Sequence, residues 1–201
     1  RLYQESPTFV PAQWDPVFWT KADADDPCDP TMNGNPPQLY ALDCVAYESV
    51  LLGLFTIFRG DVGDRPKLND IVWGDSRDGF NWSRPDRRPF VSRGTHGDWN
   101  AGNGQSVGGC CLVVNDSLYF YVSGRQGIRG TSDHGVCATG LAVLRRDGFA
   151  SMTAGDGGGT LTTRIVRFNG RVPFVNIAAA GGDVRMEILD PQGRPIEVGL
   201  G

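Results

Sequence analysis

Residues 76–82, which read SRDGFNW, place a polar turn between two short strand-like runs. An Asp-Gly pair in such a position is a strong signal for a β-hairpin, because glycine adopts the positive φ that a tight turn requires. A shorter copy, RRDGF at 145–149, follows the apolar run 140–144. Two hairpins of one kind predict a repeated all-β unit.

Glycine and proline are frequent, with 28 and 13 copies in 201 residues, which is typical of short strands joined by turns. Apolar runs rich in β-branched and aromatic residues predict two groups of four strands. The first group is 43–48, 51–58, 69–75 and 80–84, and the second is 106–114, 117–124, 136–144 and 150–154. Four antiparallel strands are the size of one propeller blade, so the predicted fold class is all-β with about two antiparallel propeller-like blades.

Composition divides the chain into three segments. Residues 1–38 are irregular and rich in proline and aspartate, with one short strand expected at 16–20. Residues 39–155 hold the two four-stranded blades. Residues 156–201 contain four short alternating strands after a Gly-rich link, which predict part of a β-sandwich. Because four strands alone leave one sheet face uncovered, this last segment has to pack on the preceding strands, another chain or a further segment.

Charge and hydropathy each argue against one class of partner. The net charge is −4 and no basic run is long, so we expect no nucleic-acid partner. The most apolar run, 50–58, is too short to cross a bilayer, so we expect no membrane partner. No signal peptide is visible and the chain starts at Arg1, which is typical of a processed or truncated chain and leaves the compartment open.

The five cysteines form an odd set without a CxxC spacing, which disfavours a zinc site. Cys110 and Cys111 are adjacent, so on a strand their side chains point to opposite faces. We expect free thiols that pack as small apolar residues. The alternative is one disulfide that involves Cys28 or Cys137.

Several runs resemble one bacterial family. They are AYESVLLGLF, SRDGFNWSRPDRRPF, SVGGCCLVVNDSLYFYVSG and GLAVLRRDGFASM. They are similar to the C-terminal part of a glycosidase-like family in the five-bladed propeller group of levanases, invertases, arabinanases and xylosidases. The tail GGGTLTTRIVRFNGRVPFVNIAAAGGDVRMEILDPQGRPI resembles the β-sandwich that follows the propeller in these relatives. The run SRDGFNW also resembles the structural Asp-box hairpin of sialidases.

This resemblance covers about residues 38–200 and implies a function. It implies a glycoside hydrolase that acts on a poly- or oligosaccharide at the propeller funnel, in an extracellular or periplasmic setting. A five-bladed propeller needs about 200–250 residues, so two blades imply a fragment of a longer enzyme, or blades completed by another chain. Two other functions stay open, namely a non-catalytic carbohydrate-binding module and a structural β domain that mediates assembly.

In propellers of this kind the ligand sits at the mouth of the funnel, near the start of each innermost strand. Asp43 and Glu48 are the candidate catalytic residues there, with a structural role for each as the alternative. Glycoside hydrolysis needs two carboxyl groups across one sugar. On one strand, Asp43 and Glu48 would face opposite sides of the sheet about 17 Å apart, so either would have to act with a carboxylate elsewhere.

The equivalent point of the second blade holds Asn103 and Gln105, whose amides suit hydrogen bonds to sugar hydroxyls. The preceding loop adds His96, Asp98 and Trp99 as candidate substrate-binding residues. Trp99 supplies a surface on which a sugar ring stacks, or it caps the core of the blade.

The acidic cluster of Asp23, Asp25 and Asp26 is the candidate for a bound ion. Oxygen-rich aspartate clusters suit calcium, although the EF-hand spacing is missing. A solvated acidic loop is the favoured interpretation, so we expect neither a metal nor another cofactor.

Overall fold

A computed structural model of the protein describes residues 2–3, 17–30, 34–60, 68–95, 97–127 and 136–196. Within these residues the fold is all-β and antiparallel, as predicted. The chain divides into two compact units, Arg1–Ala150 and Ser151–Gly201. The described residues include no helix long and apolar enough to span a membrane.

Ten strands are described, all in the first unit. They are β1 (Leu2–Tyr3), β2 (Val17–Phe18), β3 (Gln38–Tyr47), β4 (Val50–Gly60), β5 (Leu68–Ser76), β6 (Trp82–Ser83), β7 (Asn103–Val107), β8 (Leu112–Val114), β9 (Ser117–Arg125) and β10 (Cys137–Arg145). β1 pairs with β2, and sheet 1 has the order β3-β4-β5-β6. In sheet 2, β9 lies between β10 and β7, and β8 also pairs with β9.

Sheet 1 is built around β4, whose residues 52–57 are all buried. The alternation of side chains sends Leu52 and Leu54 into a larger hydrophobic core and Phe55 and Ile57 into a smaller one on the other face. A strand that is covered on both faces has a continuous run of apolar residues, because neither face is in contact with water. This explains why the segment is the most apolar in the chain.

Sheet 2 packs one face into the larger core. Leu118, Phe120 and Val122 alternate along β9 and lie in the same cluster as Leu54 and Ile71 of sheet 1. The residues between them point away, and their neighbours on β10 form a largely exposed surface. The two sheets are therefore joined by the inner faces of β4, β5 and β9.

Each sheet carries an indole ring that lies against strand glycines. A Cβ atom at Gly53 would come within 2.4 Å of the Trp82 ring, and one at Gly140 within 2.3 Å of the Trp99 ring. Gly124 also lies under Trp99, at 2.4 Å. Glycine is required at these strand positions because any larger residue would displace the indole.

The turn at 76–82 has the geometry that its sequence predicts. Gly79 has a φ of 77°, and Asp78 Oδ1 accepts hydrogen bonds from the backbone N–H groups of Phe80 (2.8 Å) and Asn81 (2.7 Å). Trp82 folds back and donates its Nε1–H to the Gly79 carbonyl at 2.8 Å. The hydrogen bonds from Asn81, then that from Phe80, lower the pKa of the Asp78 carboxyl below its ordinary value.

The second Asp-Gly stretch has a different geometry. The positive φ, 58°, falls on Asp147 rather than on Gly148. The Asp147 carboxylate accepts a hydrogen bond from the Tyr47 hydroxyl at 2.6 Å instead of closing a local turn. β10 ends at Arg145, and residues 150–154 form no strand, so the predicted fourth strand of the second blade is wrong. The chain instead turns Phe149 towards the core.

The predicted strand 106–114 is interrupted in its middle. Gly109 and Cys110 have φ values of 72° and 61°, and the Cys110 N–H donates to the Val107 carbonyl at 3.0 Å. This turn separates β7 from β8 and buries the Cys110 thiol, whose pKa is raised by the burial. All five cysteines are free thiols, as expected, but only Cys110 is buried; Cys28, Cys44 and Cys137 are exposed, so the expectation that the thiols pack as small apolar residues is wrong for these three.

The second unit differs from the prediction of four strands. Its described residues, 151–196, form only two isolated bridges, Gly155–Gly158 and Leu189–Pro195. A strand is stable only when neighbours pair with its edges and cover one face, and these residues supply no such neighbours to one another.

We predict that Gly53→Ala destabilises the protein by about 1–3 kcal/mol, because the new methyl group overlaps the Trp82 ring. Gly108→Ala is the matched control, since a Cβ there meets no atom within 4 Å. Urea denaturation of both variants tests this, and equal stabilities would show that Trp82 moves without cost.

We predict that Asp78→Ala lowers the melting temperature at neutral pH and leaves any ligand affinity of the folded protein unchanged. Asp78→Asn retains an acceptor oxygen, so its melting temperature should fall less than that of Asp78→Ala. Because the pKa of Asp78 is lowered, its contribution is present above the ordinary pKa of 3.8 and is lost as the pH falls further. In thermal melts from pH 7 to pH 2, the difference between the melting temperatures of the wild-type protein and Asp78→Asn should therefore become smaller towards pH 2.

Candidate functional site

Asp43 lies in the middle of a strand and not at its start. β3 begins five positions earlier, at Gln38, so the prediction that Asp43 marks the start of the innermost strand is wrong. Its Oδ2 accepts a hydrogen bond from the Val107 N–H of sheet 2 at 2.8 Å. The carboxylate thus joins the two sheets.

Glu48 lies outside the strand, in the turn between β3 and β4, with a φ of 50°. Its Oε1 accepts a hydrogen bond from Arg146 at 2.7 Å, and both side chains are largely exposed. The prediction that Asp43 and Glu48 share one strand is wrong, because the turn starts one residue earlier than expected. Neither residue has another carboxylate as its described partner, and their catalytic roles stay predictions.

Asn103 and Gln105 both lie on β7, which begins three residues earlier than the predicted strand 106–114, and they have different surroundings. Asn103 is buried and its Oδ1 has no partner among the described residues. Gln105 is half-buried, its Oε1 accepts a hydrogen bond from Arg125 Nε at 3.3 Å, and its carbonyl accepts one from Thr56 Oγ1 at 2.7 Å. The bulge between Gly104 and Ser106 breaks the alternation of the strand at this point.

Of the loop residues, Trp99 lies flat on the glycines of sheet 2, as in the capping alternative, and remains 36% exposed. Asp98 Oδ2 accepts hydrogen bonds from the backbone N–H and hydroxyl of Thr95 at 2.7 and 2.9 Å, so it closes the loop locally. His96 lies outside the described residues. These side chains form no common site with Asp43 or Glu48 in the part of the chain that is described.

The acidic cluster is paired with arginines, and the favoured interpretation of a solvated loop is wrong for Asp26, whereas Asp23 and Asp25 are exposed. The Asp26 side chain is fully buried and accepts hydrogen bonds from Arg84 at 2.7 and 2.8 Å. Asp23 pairs with Arg84 and Arg87 at 3.0 and 2.8 Å. Asp25 stays exposed. No three His, Cys, Asp or Glu side chains of the described chain form a group suited to a metal ion.

A second ion network lies around the buried Asp70 and also reaches the 23–29 segment. Asp70 accepts hydrogen bonds from Arg59 Nε at 3.2 Å and Arg93 Nε at 3.0 Å, and Arg93 also pairs with Asp29 at 3.2 Å. Arg59 donates in addition to the Pro27 carbonyl at 2.8 Å. Together the two networks fasten residues 23–29 to sheet 1.

An aromatic cleft of about 480 Å³ opens beside the core of the first unit. Its lining consists of Trp73, Asp86, Arg88, Pro89, Phe90, Ser92 and Phe149. Phe149 is its centre: the ring stacks on Phe90 with centroids 5.8 Å apart and meets Trp73 at 5.7 Å. The cleft is shallow and open to solvent over much of its surface.

The polar rim of the cleft is formed by an exposed ion pair. Both carboxylate oxygens of Asp86 accept hydrogen bonds from Arg88, the shortest at 2.6 Å. These hydrogen bonds lower the pKa of the Asp86 carboxyl to about 2. The pair therefore stays ionised throughout the physiological range.

The cleft residues are not among those that the sequence predicts for a site. Trp73 and Phe90 belong to strand and loop runs whose apolar residues are indistinguishable from core residues by pattern. Phe149 carries the one signal that is visible in the sequence, because it follows the second Asp-Gly pair directly. Its burial depends on the chain leaving sheet 2 after Arg145, which the repeat does not predict.

Two packed antiparallel sheets with an aromatic cleft define an all-β protein with propeller-like sheets. No protein-family model, curated protein or solved structure matches the chain. The resemblance to glycosidase-like propellers therefore stays a prediction.

We predict that Asp26→Asn destabilises the protein by about 3 kcal/mol, because it leaves the nearly buried Arg84 with only Asp23 as a charged partner. Asp25→Asn is the control, since its side chain is 83% exposed. Urea denaturation measures both. Equal stabilities would show that Asp23 alone neutralises the arginines. Added calcium should not raise the stability of the wild-type protein, because guanidinium groups already occupy the carboxylates.

Proposed function

We propose that the protein binds carbohydrate and that a sugar ring binds at the aromatic cleft. The observation that carries this proposal is the convergence of Trp73, Phe90 and Phe149 on an open surface beside a polar rim. Aromatic faces suit the apolar face of a pyranose, and the rim suits its hydroxyl groups.

The rigidity of the aromatic rings supports binding. Phe90 packs edge-on against the buried Phe120, with centroids 5.4 Å apart, and its backbone N–H donates to the Ile71 carbonyl at 2.7 Å. Phe149 contacts Tyr47 as well as the other two cleft rings. Because these rings are already fixed by packing, they lose little conformational entropy when a ligand binds.

The charge of the rim favours a neutral sugar. Arg88 and Asp86 neutralise one another, so the cleft offers hydrogen-bond donors and acceptors without a net charge. An anionic sugar would gain little from an arginine that is already held by a carboxylate. We therefore propose neutral oligosaccharides or polysaccharides as the ligand class.

Binding without turnover fits the described residues better than hydrolysis. Among the residues described, the cleft lining contains a single carboxylate, Asp86, whereas glycoside hydrolysis generally uses two. Asp86 stays ionised near neutral pH, so it does not supply the protonated acid either. The proposed function is accordingly that of a carbohydrate-binding protein.

Isothermal titration with arabinan, levan, xylan and β-glucan oligosaccharides tests the proposal. We expect binding to at least one of them, weakened at least tenfold by Trp73→Leu, which keeps an apolar side chain, and by Arg88→Ala. Arg145→Ala is the control, because this exposed arginine lies outside the cleft. Binding should be constant from pH 5 to pH 8, because Asp86 stays ionised there.

Two results would contradict the proposal. One is the lack of binding to every neutral glycan. The other is binding that survives both cleft substitutions in variants whose circular dichroism and melting temperature match the wild type. A third result would favour hydrolysis as the function. In that case reducing sugar would be released during the titration, and Glu48→Gln or Asp43→Asn would abolish the release.

A further inference from the structure

The second unit exposes its apolar side chains to an unusual degree. Phe174 is 91% exposed and Ile165 is 80% exposed. Twelve further large apolar residues between Met152 and Ile196 are at least 37% exposed. Monomeric proteins rarely leave so continuous a set of apolar residues in water, and such a set marks a surface that another polypeptide covers.

The backbone of the same segment also lacks partners. Between 160 and 187, the described backbone makes a single hydrogen bond, from the Gly182 N–H to the Ala179 carbonyl at 3.1 Å. Extended chain with free N–H and C=O groups is a template for strand pairing. Residues 183–188 alternate strictly between charged and apolar side chains, which is the pattern of a strand with one covered face.

The charges of the segment identify what pairs with it. Residues 160–172 contain three arginines, Arg164, Arg167 and Arg171, and no acidic residue. Residues 183–190 contain three acidic residues and one arginine, and one of the acidic residues, Asp190, is already paired with Arg194 at 2.7 Å, which leaves Asp183 and Glu187 for a partner. The two stretches therefore carry opposite net charges. Opposite charges on facing strands stabilise the pairing.

We propose that the second unit pairs with the second unit of another copy of the chain. The basic stretch, 160–172, of one copy lies antiparallel to the acidic stretch, 183–190, of its partner. Because a two-fold arrangement repeats every contact, the same pairing forms twice. Within one copy the two stretches form no strand pair with each other among the described residues. Residues 188–190 already pair with 194–196, whereas 183–187 has no described backbone partner and remains available.

A second copy explains the charge pattern better than an unrelated protein does. An unrelated partner would have to present a surface that matches these stretches, and the opposite charges of the two stretches would then have no common role. Pairing between copies uses both stretches at once. It also places Val184, Met186 and Ile188, which share one face of their strand, beside cross-strand neighbours.

Light scattering coupled to size-exclusion chromatography tests the association of the full chain. We expect a dimer at micromolar concentration and slow amide hydrogen exchange across 160–190. Arg164→Glu/Arg167→Glu should shift the dissociation constant upward at least tenfold, because both facing stretches become acidic. Asp183→Lys/Glu187→Lys should do the same, because both become basic. Arg145→Glu is the control and should leave the dimer unchanged.

A mixture of the two double variants gives the sharpest test. In a mixed dimer the acidic 160–172 of one variant faces the basic 183–190 of the other, and the second pair of stretches is also complementary. We therefore expect the mixture to dimerise with the wild-type dissociation constant while each variant alone does not.

Three outcomes would overturn the proposal. The first is a monomer at all concentrations with fast exchange across 160–190. The second is a monomer in which these amides are protected, since the stretches would then pair within one copy. The third is a dimer that neither double variant weakens, since it would form through another surface.

Discussion

Burial of β4 on both faces is the constraint on which the first unit depends. A strand with two apolar faces needs a neighbour along each edge and a layer over each side. β3 and β5 supply the edges, and sheet 2 supplies one layer through Phe120 and Val122. Trp82, Leu39 and Leu42 cover the other side. The ion networks around Asp26 and Asp70 then hold residues 23–29 against the edge of this packed unit.

The strands of the first unit follow closely from the sequence because periodicity and turn residues are local properties. The boundaries of β4, β5 and β9 lie within two residues of the predicted ones. The turn at Asp78 was predictable for the same reason, since its hydrogen bonds join residues at most three positions apart. The prediction of strand 150–154 is wrong, and the Asp147 carboxylate of the second Asp-Gly pair accepts a hydrogen bond from Tyr47, a distant residue that the local sequence does not identify.

The candidate site was far less predictable. The side chains of the cleft come from β5, from the loop before β7 and from the residue after the second Asp-Gly pair, and only packing brings them together. The acidic cluster shows the same difficulty, because no feature of the sequence near Asp23 and Asp26 predicts that Arg84 lies beside them. Alternation in the second unit predicts four strands, and this prediction is wrong for the described residues, because alternation alone does not form a strand ladder without a pairing partner.

The contacts between Tyr47 or Glu48 and residues 146–149 have a consequence for folding. These contacts join positions about one hundred residues apart, whereas sheet 1 is built from hairpins whose strands follow one another in sequence. Non-local contacts form slowly because they close long loops. Sheet 1 is therefore able to assemble early during synthesis, but its larger apolar face remains open until β9 of sheet 2 has been synthesised, and Phe149 completes the cover.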